Sequence, residues 1–262
     1  MYDKVKAFQG TPLFPSDQFT IIAGPCAVED EGRLLQMAEF LQSLGIAHLR
    51  AGAYKPRTSP YTFQGLEQRG LEILQHVKSK TGIKIVTEIM DASQIHMYEE
   101  NVDIIQVGAR NMQNFSLLKA LGKIKKPILL KRGFGSTIEE WLYACEYLLS
   151  EGNDQVILCE RGIKTFEPMT RNTLDISSVP IVKGITKLPV FVDPSHSSGR
   201  SDIITPLAMA SLAVGADGLM VEVHHDPKCS LSDQDETINF EEFARCLDQL
   251  QAIAKVLGKI IG

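Results

Sequence analysis

Val190-Phe191-Val192-Asp193-Pro194-Ser195-His196 is a short, β-branched apolar run that stops on a carboxylate and, one turn later, an imidazole. The same punctuation recurs along the chain. Upstream lie Ile21-Ile22-Ala23-Gly24-Pro25-Cys26, Ala47-His48-Leu49-Arg50, Ile85-Val86-Thr87-Glu88 and Ile104-Ile105-Gln106-Val107-Gly108-Ala109-Arg110. Ile128-Leu129-Leu130-Lys131 and Val156-Ile157-Leu158-Cys159-Glu160-Arg161 follow, and Leu219-Met220-Val221-Glu222 comes last. Short runs that do not alternate polar with apolar read as strands buried on both faces, as in parallel sheets. Eight of them separated by helical stretches make an α/β chain, a (β/α)8 TIM barrel. In that fold the active site lies where the strands end, and the polar residues of this chain gather there.

The 262 residues suit one barrel domain, since the fold takes about 250. Hydrophobic residues at 44% and charged residues at 23% provide for a large core under a polar surface. The opening residues show no basic-then-apolar signal peptide, and no apolar run approaches the ~18 residues of a membrane span. Cys26, Cys145, Cys159, Cys229 and Cys246 are odd in number and scattered, which argues against a disulfide framework and for a reducing cytoplasm. A net charge of −5 without a basic tract argues against nucleic acid as a partner. The expectation is a single catalytic barrel over 1–262, with an extension of about 1–19 that caps the barrel bottom or packs on a partner subunit.

Helix signals fill the gaps between strands. Ser136-Thr137-Ile138-Glu139-Glu140 offers a capping box, and Asn239-Phe240-Glu241-Glu242 a cap for the last helix. Gly45 and Gly82 follow amphipathic stretches at about 31–44 and 66–80. Further helices are expected at about 92–99, 115–121, 138–150, 201–213 and 240–257. Between strands six and seven the pattern is weak, and predicts helix over Thr170–Leu174 and Ser177–Lys183.

Cys26, His196 and Glu222 close strands one, seven and eight, and Asp233 lies in the loop after strand eight. One thiolate, one imidazole and two carboxylates suit a divalent transition ion such as Mn, Fe, Co or Zn. The plainer alternative makes Cys26 a small buried hydrophobe and His196 a hydrogen-bonded loop residue. Arg50, Lys55, Arg57, Arg110, Lys131, Arg132, Arg161 and Arg200 also sit at or beyond strand ends. Such a concentration in an acidic protein implies a ligand with several anionic groups, plausibly two phosphates and a carboxylate. Arg132 and Arg200 have an equally good structural reading as partners of nearby acids. Lys131 could instead form a Schiff base with a carbonyl substrate, which would make the metal set superfluous. Glu88 could position a water or neutralise an arginine.

Six segments together resemble a known family: Ala23-Gly24-Pro25-Cys26, Arg50 through Pro60 (with Lys55-Pro56-Arg57-Thr58-Ser59-Pro60), Gly108-Ala109-Arg110-Asn111, Lys131-Arg132-Gly133, Cys159-Glu160-Arg161-Gly162 and Asp193-Pro194-Ser195-His196. They look like the 3-deoxy-D-arabino-heptulosonate 7-phosphate (DAHP) synthases, type I-beta branch, which in turn resemble the 3-deoxy-D-manno-octulosonate 8-phosphate synthases. The resemblance implies a metal on Cys26, His196, Glu222 and Asp233, the four residues reached above. It implies phosphoenolpyruvate against Arg50, Lys55, Ala109, Arg110, Lys131 and Arg161. Erythrose 4-phosphate would use Lys55, Pro56, Arg57 and Thr58, its phosphate on the last two. Glu88 would position water, and Lys55 would donate a proton. The octulosonate enzymes carry an Asn-Arg-Ser-Ser type sequence after the lysine, so Pro56-Arg57-Thr58 selects the shorter sugar over arabinose 5-phosphate. The family further implies a homodimer or homotetramer and, with no regulatory domain in view, feedback control through a separate partner such as chorismate mutase. Cys229, unexpected in the last loop, raises the expectation of a redox pair with Cys26.

Overall fold

Strand β1 (Gln18–Gly24) pairs in parallel with both β2 (His48–Arg50) and β8 (Gly218–Glu222), and that double pairing closes the sheet. The computed structural model describes residues 1–8, 13–57 and 59–262. Between β2 and β8 run β3 (Lys84–Ile89), β4 (Ile104–Val107), β5 (Ile128–Lys131), β6 (Val156–Glu160) and β7 (Val190–Val192), each parallel to its neighbour. The result is a (β/α)8 barrel; β9 (Ile260–Ile261) adds a short pairing outside it, at the start of β1.

The helices are α1 (Asp3–Ala7), α2 (Glu31–Ser43), α3 (Glu67–Thr81), α4 (Ile95–Asn101), α5 (Phe115–Leu121) and α6 (Ile138–Ser150). After these come α7 (Ser178–Ile185), α8 (Pro194–Ser198), α9 (Ile204–Ala213) and α10 (Phe240–Leu257). The expected capping box forms before α6, Thr137 with Glu140, and the expected cap before α10 is itself a box, Asn239 with Glu242. Gly82, at φ 77°, ends α3 in the left-handed conformation that a side chain resists. The expected helix over 170–174 does not exist. Ile163 and Thr173 exchange backbone hydrogen bonds as an antiparallel bridge, while the Arg171 and Asn172 amides donate to Ser198 and Ser197 carbonyls. Thr173 thus uses both its N–H and its C=O in an extended bridge, a pairing that a helical turn cannot make.

Side chains alternate across each strand, so the closed sheet has a lumen face and a helix face. Ile22, Val86, Ile104, Leu129, Ile157, Phe191 and Met220 fill the lower lumen as one apolar cluster. One step further along the same face stand Arg50, Glu88, Gln106, Lys131, Asp193 and Glu222. Leu49, Ile85, Ile105, Leu130, Leu158, Val192 and Val221 point outward into the larger core beneath the helices. Leu13 and Phe14 pack against the lower cluster, with the Phe14 ring 5.3 Å from Phe191 and 6.0 Å from His48. Leu13 and Phe14 thus lie at the barrel bottom, whereas α1 packs on α6, the Val5 amide donating to Glu146 at 2.6 Å and the Tyr2 ring meeting Tyr143.

Candidate active site

Asp193 ends the β7 segment and caps α8 directly after it, its side chain accepting from the His196 amide at 3.0 Å, with Pro194 pre-set in the first turn. The cap fixes the imidazole. Nδ1 lies 2.7 Å from Asp193 Oδ2, and Nε2 points at Glu222 Oε1, 3.2 Å away. Glu222 is fully buried and also takes Arg50 Nη1 at 2.5 Å. Asp233 adopts a left-handed backbone (φ 53°), a strained state for a non-glycine residue, of the kind often stored at functional sites. Its carboxylate accepts the Cys26 thiol at 2.9 Å.

The donor atoms of His196, Glu222, Asp233 and Glu236 all lie within 4.8 Å of one another. Three of these were expected from sequence; Glu236 was not, and Cys26 joins through its bond to Asp233. Burial would push the Glu222 carboxyl up, but His196 and Arg50 outweigh it and hold the group well below the usual carboxylate range. For Glu236 burial wins, helped by the Glu222 and Asp233 charges against His196 and Arg171, and the carboxyl is pushed up to about 7. Burial, reinforced by Glu222, pushes the Cys26 thiol up to about 12. Three carboxylates, an imidazole and an adjacent thiol, with a buried Glu236 oxygen left without a hydrogen-bond partner among the described residues, form a donor set that fits a divalent cation.

Beside this group opens a cleft of about 340 Å³, walled by Lys55, Arg57, Arg110, Lys131, Arg161 and Arg171, with Pro56, Glu88, Ala109, Phe134, His196 and Asp233. Lys131 is buried and its Nζ lies 2.6 Å from Asp193 Oδ2; the amine is engaged in an ion pair, which does not favour the Schiff-base alternative. Lys55 reaches back over Gly52 to donate to the Cys26 carbonyl at 2.9 Å. Arg57 donates to the Phe63 carbonyl at 3.1 Å and stands 4.0 Å from Asp233. The Phe134 ring collects three cations, with Arg161, Arg110 and Lys164 at 4.6, 5.3 and 5.9 Å from its centre. Arg161 is only 4% exposed, and its Nη1 has no partner among the described residues. Arg50 is absent from the cleft wall because its Nη1 serves the Pro25 carbonyl (2.9 Å) and Glu222. Thr58 lies outside the described residues.

Arg132 and Arg200 resolve to the structural reading. Arg132 is buried between Glu160 and Asp175, 2.8 Å from each, and Arg200 is paired with Asp202. Cys26 and Cys229 are free thiols with different partners: Cys26 is buried against Asp233, and Cys229 is exposed against Asp226. Arg171, Phe134 and Glu236 went unread in the sequence. For Glu236 the only signal was a run of three acids within Asp233-Gln234-Asp235-Glu236, which cannot say which of them turn inward.

Glu88 accepts from Gln106 Nε2 at 2.9 Å, and a Cβ on Gly108 would stand 2.0 Å from its Oε1. Gly108→Ala should therefore displace the Glu88 carboxylate without straining the backbone, whose φ of −66° suits any residue. Turnover should fall about as far as in Glu88→Gln, roughly 10-fold to 100-fold, with the thermal midpoint close to wild type. Steady-state kinetics with a thermal melt checks both halves.

Glu29 pins the loop that carries Asp233. It accepts the Leu231 amide at 2.8 Å and Arg33 at 2.7 Å, and lies 3.3 Å from His224 Nε2. Burial opposes ionisation, but these donors prevail and hold the carboxyl down at about 2, from its usual 4.5. The stabilisation is complete above pH 4.5 and is lost as pH falls toward 2. Glu29→Gln should cost roughly 1.5–3 kcal/mol at neutral pH, a deficit that narrows on acidification; urea midpoints across pH measure it.

The geometry has close counterparts. A family model described as the DAHP synthetase I family matches residues 14–257. A phospho-2-dehydro-3-deoxyheptonate aldolase of Thermotoga maritima is 53% identical over 92% of this chain and 71% of its own length. A crystal structure of that Thermotoga DAHP synthase superposes with a TM-score of 0.91 at 51% identity, covering 94% of this chain and 72% of the other. A truncated form of a Thermotoga maritima DAHP synthase gives 0.87 at 48% identity, over 94% and 90%. A 2-dehydro-3-deoxyphosphooctonate aldolase of Geobacter sulfurreducens is more distant, 31% identical over 90% of this chain and 93% of the relative. With its barrel, its strand-end residues and a family match over most of its length, the chain belongs to the DAHP synthetase I family.

Proposed function

We propose that this protein condenses phosphoenolpyruvate with D-erythrose 4-phosphate and water to give 3-deoxy-D-arabino-heptulosonate 7-phosphate and phosphate, the entry step of the shikimate pathway. The observation that carries the reading is the juxtaposition of a cation-walled cleft with the His196–Glu222–Asp233 group beside it, His196 and Asp233 belonging to both. Lys131, Arg161, Arg110 and Lys55, with the Ala109 backbone, hold the phosphate and carboxylate of phosphoenolpyruvate; Arg50 acts from beneath through Glu222. Arg57, with Pro56 and Thr58, takes the phosphate of the sugar. A divalent ion held by Cys26, His196, Glu222 and Asp233 would polarise the aldehyde oxygen as a Lewis acid.

With both anions clamped, C3 of phosphoenolpyruvate faces the aldehyde carbon, and proximity supplies much of the rate. The new carbon–carbon bond leaves C2 electron-poor. Glu88 orients the water that adds there, and the resulting phosphohemiketal loses phosphate. Lys55 donates a proton to the developing alkoxide.

Phosphate release from metal-stripped protein, with and without Mn²⁺, tests the reading against erythrose 4-phosphate and arabinose 5-phosphate in parallel. Metal-dependent release with the four-carbon sugar alone is expected. Release with the five-carbon sugar alone would transfer the chain to octulosonate chemistry, and borohydride trapping at Lys131 would replace the metal with a Schiff base. The same reading places a homodimer or homotetramer in the cytoplasm, with control by a separate partner such as chorismate mutase; light scattering of the purified protein measures the assembly.

A further inference from the structure

We propose that Glu236 is a further oxygen ligand of the divalent ion, and that it tilts the site toward oxygen-seeking ions such as Mn²⁺ over Zn²⁺. The inference rests on the metal reading above and deepens it.

The position of Glu236 is built by backbone. After the left-handed Asp233, a single 3₁₀ turn (Gln234–Glu236) brings residues 233 and 236 round to one point. The turn is anchored on both sides. Thr237 Oγ1 donates to the Asp233 carbonyl at 2.6 Å, and the Ile238 amide donates to the Glu222 carbonyl at 3.1 Å. Glu236 is fully buried. Its Oε1 pairs with Arg171, whose Nη1 is also 3.8 Å from Asp233 Oδ1. A role as partner to Arg171 accounts for that oxygen alone. Oε2 is buried without any hydrogen-bond partner among the described residues, a costly state for a carboxylate unless something else is received there.

The convergent donors are one imidazole and three carboxylates, with the Cys26 thiol beside them against Asp233. Zinc favours tetrahedral sites rich in nitrogen and sulfur, whereas carboxylate-rich sets with more donors suit manganese. Glu236 adds the oxygen that moves the balance.

The test is calorimetric titration of chelator-stripped protein with Mn²⁺ and with Zn²⁺, for wild type, Glu236→Gln and His196→Ala. In Glu236→Gln, Mn²⁺ affinity should fall about 10-fold to 100-fold and Zn²⁺ affinity far less, and the visible spectrum of the Co²⁺-loaded protein should change. Unchanged affinities with an unchanged Co²⁺ spectrum would overturn the proposal and leave Glu236 as the partner of Arg171. Equal losses for both ions would overturn the preference. Should Glu236→Gln not fold, Glu236→Asp withdraws the carboxylate by one methylene and should show the same selective loss; wild-type affinities there would also overturn it. If wild type binds neither ion, or His196→Ala binds as wild type does, the metal reading itself fails, whereas a defect confined to Glu236 variants leaves that reading standing.

Discussion

Phosphate release should be abolished by a chelator and restored by added divalent ion, and His196→Ala should lower kcat/KM by at least ~10³-fold, about 4 kcal/mol of transition-state stabilisation. The size follows from where the imidazole sits. His196 is held by the Asp193 cap on one side and aimed at Glu222 on the other, and it is the one imidazole in the convergent group among the described residues. A readout free of catalysis accompanies the kinetics. Glu222, Asp233 and Glu236 crowd their carboxylates together, and an ion that binds only the folded state must raise the thermal midpoint as its concentration rises. That rise should vanish in His196→Ala. A variant that retains both the rise and full turnover would remove the histidine from the metal site.

Arg161→Met should make the protein more stable and much less active. A buried arginine with a full set of partners would be costly to remove, but Arg161 carries an Nη1 unpartnered among the described residues, in a nearly closed position. Burial pulls its pKa below the ordinary arginine value despite the nearby Asp193 charge, which marks the guanidinium as under-compensated. Methionine keeps contact with the Phe134 face and removes the charge. Relief of about 1–3 kcal/mol is expected, raising the midpoint by several degrees. On the proposed function the same substitution removes a guanidinium that holds the phosphate or carboxylate of phosphoenolpyruvate, so KM for that substrate should rise roughly 100-fold. The opposite signs are diagnostic, since a purely structural arginine would lower stability and leave KM alone. Calorimetry and phosphoenolpyruvate titration on one preparation decide it.

The barrel was legible because its strands are short, β-branched and buried on both faces, and because nearly all of them stop on a charged residue. The alternation within them was hidden. Ile22, Val86 and Leu129 face the lumen while Ile21, Ile85 and Leu130 face the helices, and all are apolar. Capping boxes at Thr137 and Asn239 were readable for the opposite reason: their bonds close within three residues. The segment at 170–174 misled because its amides bond to Ser197 and Ser198, residues distant in sequence.

Strand ends alone determined most of the candidate site: Cys26, Arg50, Glu88, Lys131, Arg161, His196 and Glu222 lie on or directly after strands whose direction the parallel pattern dictates. Barrel closure then brings them together, whatever the intervening helices contain. Only the tertiary structure decided how the charges pair: Lys131 on Asp193, Arg132 on Glu160 and Asp175, Arg50 on Glu222, and Arg161 with its Nη1 unpartnered among the described residues. It also decided which acid after Asp233 turns inward. Pairing depends on distances of a few ångströms between side chains from different strands and loops, and Glu236 reaches the site through one left-handed residue and one tight turn. Neither quantity is encoded in local propensity; both follow from the chain closing on itself.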